Sequence, residues 1–174
     1  ADGLHTLPVY LDYEAIHDLV KLRRKNVDAI VVNGYSGDFL FGGHIPEELL
    51  FFPSKKLLVD KIISKHCSHI QSERLETVTE LVRSRIADEI DSEKSSFGEG
   101  DLCAFYEYWD WQERQAKAVV NGQRLYEYFG LDWMLPFWNK GLVNFWKTVP
   151  IRYKLNQYLH IKYLKSYNYR GAFN

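Results

Sequence analysis

The chain has little cysteine and no long apolar run. These two features argue against a disulfide-rich secreted domain and against a membrane-spanning protein. Cys67 and Cys103 are its two cysteines in 174 residues, too few for the disulfide framework that holds small secreted domains together. No stretch approaches the ~20 apolar residues that a membrane-spanning helix needs. Residues 1–10 also lack the basic start and long apolar centre of a signal peptide. These absences predict a cytoplasmic protein without a membrane partner.

An excess of one charge is lacking as well. The chain carries 22 basic and 23 acidic residues, a net charge of −1, whereas binding to nucleic acid through bulk charge requires a basic excess. We therefore expect no nucleic-acid partner, although residues 21–25 form a locally basic run. With 46% hydrophobic residues, a chain of this length can bury one sizeable core, which predicts a single domain over residues 1–174. Residues 92–100, rich in Ser, Gly and charge, are expected to form a mobile loop within it.

Hydrophobic periodicity predicts a chain that is mostly helical. Residues 28–32 are typical of a short buried strand, and residues 6–11 are a candidate second strand. Asp12 is expected to cap a helix that follows it, and Gly130 to end the longest one. The predicted helices cover residues 13–25, 54–68, 72–91, 105–129, 139–147 and 154–167, with a short one after Pro46. The expected fold class is α-rich α/β, with one or two parallel strands, six or seven helices and everything after the first strand helical.

The most informative segment is residues 31–44, where an apolar run breaks into four glycines around Asp38. Glycines just past the C-terminal end of a strand let backbone N–H groups approach a phosphate or nucleotide, and a lone acid there could hold a metal ion. The same composition is also typical of an ordinary turn. Spacing alone leaves both interpretations open.

This segment resembles the S-G-E-G-x-D-E-L-F-G-G-Y loop of the asparagine synthetase family, with Gly34, Asp38 and residues 40–43 in register. Further segments keep the family's order. Residues 114–118 resemble its R-x-x-K-A helix, residues 135–150 its V-P-F-L-D, L-V-x-F and x-x-P pattern, and residues 162–165 its K-x-x-L-R helix. The resemblance covers roughly residues 10–168. It implies the C-terminal part of an adenine nucleotide α-hydrolase-like domain.

The resemblance also implies a chemistry and a set of roles. In the family, ATP activates a carboxylate as an acyl-adenylate, and ammonia or an amine attacks the acyl carbon. ATP and Mg²⁺ would be the cofactors, and a carboxylate substrate and an ammonia or amine donor the partners; homo-oligomerisation is left open. Asn33 and Gly34 would contact the nucleotide, and Asp38 would bind the metal.

Four departures from the family pattern decide how far its activity can be carried over to this chain. Tyr35 replaces the catalytic Glu, Phe39 a second acid, His44 a Tyr, and Asn139 the Asp of the later motif. The related β-lactam synthetases carry a tyrosine at the Tyr35 position, where it pairs with a glutamate, and Glu113 is the candidate partner here. Because an unperturbed tyrosine has a pKa near ~10, Tyr35 could act as a base only if its surroundings tune it. Packing at the mouth of a degenerate site is the alternative.

Arg114 and Lys117 belong to a matched motif and are candidates for orienting charge at the site, since i to i+3 spacing places them on one helix face. A salt bridge to Asp110 or Glu113 is the alternative for these cations. Two other clusters are weaker. Residues 66–69 contain metal-type side chains but too few for zinc, and the aromatic run of residues 105–111 suits core packing better than stacking on sugars or bases.

Two family features have no counterpart in these residues: the Ser-Gly-Gly-x-Asp-Ser pyrophosphate loop and the cysteine-led glutaminase domain. The chain is therefore expected to be a truncated or divergent member of a glutamine-hydrolysing type of amide-forming ligase, and not to cleave ATP alone. The alternative is a non-catalytic scaffold domain that kept the synthetase fold, and a third hypothesis is carbohydrate binding by the aromatic run.

Overall fold

The structure is a computed structural model, and it describes residues 6–22, 29–67, 72–92 and 102–172. Helices dominate these ranges, and the strands form one two-stranded parallel sheet, so the expected α-rich α/β class is confirmed at that level. Contacts cluster into two compact units. The first comprises Ala1–Leu40 and Trp111–Thr148, and the second comprises Phe41–Asp110 and Val149–Asn174.

The elements follow one another as α1 (Thr6–Leu22), β1 (Ile30–Val32), α2 (Gly37–Leu40), α3 (Glu47–Phe51), α4 (Lys55–His66), α5 (Ser72–Ser92), α6 (Leu102–Asp110), a π-helix (Trp111–Val120), α7 (Arg124–Tyr128), β2 (Asp132–Met134), a 3₁₀ turn (Pro136–Trp138), α8 (Lys140–Thr148), α9 (Ile151–Lys154), a 3₁₀ turn (Leu155–Gln157), α10 (Tyr158–Tyr167) and a 3₁₀ turn (Tyr169–Gly171). Within the described ranges, no helix is both long and apolar enough to cross a membrane.

The second strand of the sheet is not the predicted one. β2 pairs with β1 in parallel, with Val31 opposite Trp133, whereas residues 6–11 begin α1. Pro8 lies in the first turn of that helix, where its missing N–H is not needed. The expectation that everything after the first strand is helical was wrong at β2, because three residues are too few to show a strand period.

The predicted strand over residues 28–32 is confirmed as β1, with residue 28 outside the described ranges. The prediction that it is buried was wrong. Ile30 is 57% exposed and Val32 is 62% exposed. On β2, Met134 is 46% exposed. Successive side chains on a strand point to opposite faces, and Val31 and Trp133 are the half-buried ones. The exposed face of the pair therefore carries three apolar side chains together with Asp132.

The core of the second unit is built by α3, α4, α5 and α6. Apolar side chains at helical spacing meet there, and the fully buried members include Leu49, Leu58, Ile62, Ile86 and Phe105. The predicted helices over residues 54–68 and 72–91 are confirmed to within about two residues. The side chain of Ser54 caps α4 by accepting the Leu57 N–H at 3.1 Å. The predicted loop of residues 92–100 lies almost wholly outside the described residues.

Two predicted helices are broken. The one over residues 105–129 consists of α6, the π-helix and α7, because apolar spacing does not distinguish i→i+4 from i→i+5 hydrogen bonding. It does end at Gly130, whose φ is +70°. The one over residues 154–167 is interrupted at Asn156 and Gln157, with φ of 53° and 59°, a left-handed conformation that asparagine tolerates better than most residues.

Candidate functional site

The carboxyl ends of β1 and β2 lie side by side in the first unit, and each strand runs directly into a predicted motif. β1 continues into the glycine loop and β2 into residues 135–139. The Asn33 N–H donates to the Met134 carbonyl at 3.0 Å, so the pairing extends into the loop. In open parallel sheets, ligands bind beyond the carboxyl ends of the strands. This edge is therefore the candidate site.

Asn33, a predicted nucleotide contact, is already engaged by neighbours. Its Nδ2 donates to the hydroxyl of Tyr126 at 3.0 Å, and its Oδ1 accepts the Tyr35 backbone N–H at 3.0 Å. A carboxamide has two N–H donors and two lone pairs on its oxygen. With respect to the residues that the structure describes, one donor and one lone pair of Asn33 therefore remain for a ligand.

The ring of Phe137 brings the second motif against the glycine loop. A Cβ added at Gly37 would lie 2.8 Å from that ring, so this position requires glycine. At Gly34 the same ring would be 4.0 Å away, an ordinary contact, and the residue is exposed. Gly34, the other predicted nucleotide contact, is thus open to a ligand.

Ser36 joins three sequence segments at the centre of this edge. It is 5% exposed and has a φ of 67°, a conformation uncommon outside glycine. Its hydroxyl donates to Oε1 of Gln115 at 2.8 Å and accepts the indole N–H of Trp138 at 3.1 Å. These bonds hold the loop between the π-helix and the segment after β2.

Sequence reasoning missed Ser36, Gln115 and Trp138. The available signal was that Ser36 stands where the resembling pattern has glycine, the residue that adopts a left-handed backbone most easily. Gln115 is buried on the π-helix, and its Nε2 has no hydrogen-bond partner within the described part of the chain. A buried donor of this kind is costly unless something accepts from it.

Tyr35 has a different carboxylate partner from the predicted one. Its hydroxyl donates to Oδ2 of Asp12 at 3.1 Å. Burial and then the negative charge of Asp12 raise the pKa of Tyr35 above its ordinary value of 10.0. A tyrosine base needs a lowered pKa, so this arrangement disfavours that role. The prediction that Asp12 caps a helix was wrong, because α1 begins at Thr6 and Asp12 lies inside it.

The remaining charged candidates lie on the π-helix. Lys117 Nζ binds both carboxylate oxygens of Glu113, at 2.6 and 2.5 Å, which is one of the alternatives that the sequence left open. Arg114 is half-buried. A helix with i→i+5 bonds turns less per residue than an α-helix, so the face that Arg114 and Lys117 were expected to share is not kept. Their charge-orienting role stays a prediction.

Asp38, the predicted metal ligand, is an exposed residue in the first turn of α2. Its Oδ1 accepts the Phe39 N–H at 2.8 Å. Among the described residues, no group of three or more His, Cys, Asp or Glu could hold a metal ion. Because Mg²⁺ is often held by one or two carboxylates together with substrate phosphates, Asp38 fits as one ligand and does not form a site by itself.

Asn139 has a structural role at the start of α8. Its Oδ1 accepts the N–H groups of Gly141 at 2.9 Å and Leu142 at 3.2 Å, at the start of α8. Asn and Asp cap helix N-termini about equally well. An Asp at this position, as in the pattern that residues 135–150 resemble, could therefore accept from the same N–H groups.

The second unit encloses a buried charged cluster around Asp110. Its Oδ2 accepts from Nδ1 of His44 at 2.7 Å and from Nζ of Lys65 at 2.9 Å, and Nε2 of His66 lies 4.0 Å from Oδ1. Phe105, Tyr106 and Trp109 of the aromatic run are buried in the same unit's core, as core packing predicted. Trp111 is exposed.

No family model, curated protein or solved structure matches this chain.

Proposed function

We propose that this chain is part of an asparagine synthetase-like, ATP-dependent amide-forming ligase of the cytoplasm. It would contribute the loop that faces the nucleotide, and it would not cleave ATP by itself. The observation that carries the proposal is the meeting of three resembling segments at one sheet edge. Residues 33–38 contact Gln115 of the π-helix and Phe137 and Trp138 of the later motif. These partners lie about 80 to 100 positions after the loop in the chain.

The backbone at Ser36 gives independent support. The family pattern has glycine at this position, and the φ of 67° found here is one that glycine adopts without cost. A serine keeps this conformation only where its surroundings favour it, and two side-chain hydrogen bonds do so. A backbone that glycine adopts easily, at a position where the family pattern has glycine, supports the proposal.

The exposed face of the sheet, which is apolar except for Asp132, supports the idea that more of the domain covers it. Parallel sheets occur almost only with both faces covered, yet Ile30, Val32 and Met134 are exposed. In the proposed ligase, the part that carries the pyrophosphate loop would cover this face. ATP and Mg²⁺ would then bind between that part and the edge containing Gly34 and Asp38.

A non-catalytic scaffold is the second candidate, and Tyr35 favours it. The raised pKa of its phenol and its bond to Asp12 suit a packing role better than proton abstraction. A scaffold of this kind would keep the synthetase fold but would not form an acyl-adenylate. Ligand binding separates the two candidates, because a scaffold has no need to hold AMP or pyrophosphate.

The test is calorimetric titration of AMP, and of magnesium pyrophosphate, into the longest polypeptide that the gene encodes. A ligase should bind both, and Asp38→Ala should weaken pyrophosphate binding at least tenfold. Asp132→Ala is the matched control, because Asp132 is also exposed but lies at the opposite end of β2. Absence of binding would favour the scaffold. Pyrophosphate release from residues 1–174 alone with ATP and Mg²⁺ would refute the proposed division of roles.

A further inference from the structure

The charge of this chain is unevenly distributed along the sequence. Residues 149–174 contain five basic side chains and no Asp or Glu, which leaves 17 basic and 23 acidic residues in residues 1–148. The net charge of the whole chain, from which we expected no nucleic-acid partner, therefore does not describe its basic C-terminal segment. Its described part, through residue 172, lies in the second unit and includes α9 and α10.

Four of these five cations are exposed and lack a carboxylate partner within the described part of the chain. Lys154 is buried and bound to Glu107. The other four are exposed, and among the described residues none of them forms an ion pair: Arg152, Lys162, Lys165 and Arg170. The four lysines of α4, in the same unit, differ because each pairs with an acid. The four are thus available to a negatively charged partner.

Exposed tyrosine rings are interspersed with these cations. Five tyrosines of the segment are exposed: Tyr153, Tyr158, Tyr163, Tyr167 and Tyr169. Three have a cation over the ring, with Arg152 at 4.9 Å from Tyr153, Lys162 at 5.8 Å from Tyr158 and Arg170 at 5.0 Å from Tyr169. Each such pair offers a flat apolar surface next to a positive charge.

We propose that this basic aromatic segment, residues 152–170, binds single-stranded nucleic acid. Proteins that bind single strands without sequence preference combine cations that follow the phosphates with aromatic rings on which bases stack. The segment provides both. The proposal rests on a different unit from the proposed ligase site and does not depend on it.

Two other anionic partners fit the arrangement less well. An acidic peptide would neutralise the cations but leave the tyrosine rings without stacking partners. A membrane surface suits a helix with one apolar face and one charged face. Tyr158 and Tyr163 are both exposed on α10, yet five positions apart they point in well-separated directions. A flexible strand of nucleotides can reach rings on more than one side of a helix.

The test is fluorescence anisotropy of the full 174-residue chain with labelled oligothymidylate of about 12 nucleotides. Four neutralised phosphates predict a slope of log affinity against log salt of about −3. Lys162→Gln with Lys165→Gln should bring that slope to about −1.4. The matched control is Lys140→Gln with Lys147→Gln, both exposed lysines of α8, which should leave it unchanged.

Stacking is tested separately from charge. Tyr167→Leu should weaken binding by about 5- to 150-fold without changing the salt slope, since stacking of one base is lost. Tyr128→Leu is the control, because Tyr128 is 74% exposed against 73% for Tyr167. The proposal fails if oligothymidylate does not bind, if polyglutamate of equal charge binds as tightly, or if anionic vesicles bind and oligothymidylate does not displace them.

Discussion

Replacing Asp110 with asparagine should lower the stability of the protein by an amount that depends on pH. The carboxylate is 0% exposed and accepts from His44 at 2.7 Å and Lys65 at 2.9 Å. Burial raises the pKa of Asp110, but the hydrogen bond from His44 and the positive charge of Lys65 outweigh it. The pKa is therefore lowered from 3.8 to about 2.

The magnitude follows from proton linkage. A carboxyl whose pKa is lower in the folded state stabilises the fold fully above its unfolded pKa, near 3.8, and that contribution disappears as pH falls through about 2. A difference of nearly two pKa units corresponds to roughly 2.5 kcal/mol at pH 7. The carboxamide of the Asp110→Asn variant has no such contribution at any pH. It also removes the negative charge that Asp110 places beside the partly buried Lys65, so the full cost at pH 7 should reach about 3–5 kcal/mol.

Urea denaturation followed by circular dichroism at pH 3, 5 and 7 measures both effects. The difference in unfolding free energy between the natural chain and Asp110→Asn should shrink by roughly 1 kcal/mol between pH 7 and pH 3. Asp88→Asn is the control, because Asp88 is exposed on α5, and it should change stability by less than ~0.5 kcal/mol. A pH-independent difference for Asp110→Asn would refute the reasoning, since the carboxylate would then not titrate differently in the folded state.

Three further substitutions test local contacts by urea denaturation. Ser54→Ala should cost about 1 kcal/mol by removing the cap of α4, and no loss would contradict the cap. Gly42→Ala should lower the free energy of unfolding by at least ~2 kcal/mol. The φ of Gly42 is +89°, and a Cβ there would lie 2.5 Å from the Lys154 carbonyl oxygen. Gly122→Ala is the control and should cost less, because a Cβ at Gly122 would meet nothing within 4 Å. Asn139→Ala should cost about 1 kcal/mol and Asn139→Asp almost nothing; equal losses would show that capping is not the role of this residue.

The helices of the second unit were predictable because they are long and periodic. The bounds of α4 and α5 follow from apolar side chains at helical spacing, and Ser54 marks a helix start. β2 could not be predicted in the same way. Its three residues offer one alternation of exposure, and its strand conformation depends on pairing with β1, a partner about 100 positions earlier in the sequence.

The position of the candidate site was predictable, whereas its hydrogen bonding was not. Glycines after an apolar run indicated a loop at a strand end, and β1 ends there. The partners of that loop come from distant segments: Asp12 lies 23 positions from Tyr35, and Gln115 lies 79 positions from Ser36. Periodicity describes local segments only, so no sequence pattern pairs these side chains.

The departures from the family pattern differ in what they imply about activity. Asn139 caps α8, a role that the family's Asp can also perform. His44 binds the buried Asp110 of the second unit, so it contributes to that unit's interior. Both side chains therefore have structural contacts of their own in this fold. Of the four substitutions, Tyr35 and Phe39 bear on lost activity in the proposed ligase, in addition to the missing pyrophosphate loop. Tyr35 is the clearer case, because its phenol donates to Asp12 and its pKa is raised. In a ligase of this kind, a ligand or another part of the domain would have to lower the pKa of Tyr35 before its phenolate could act as a base at neutral pH.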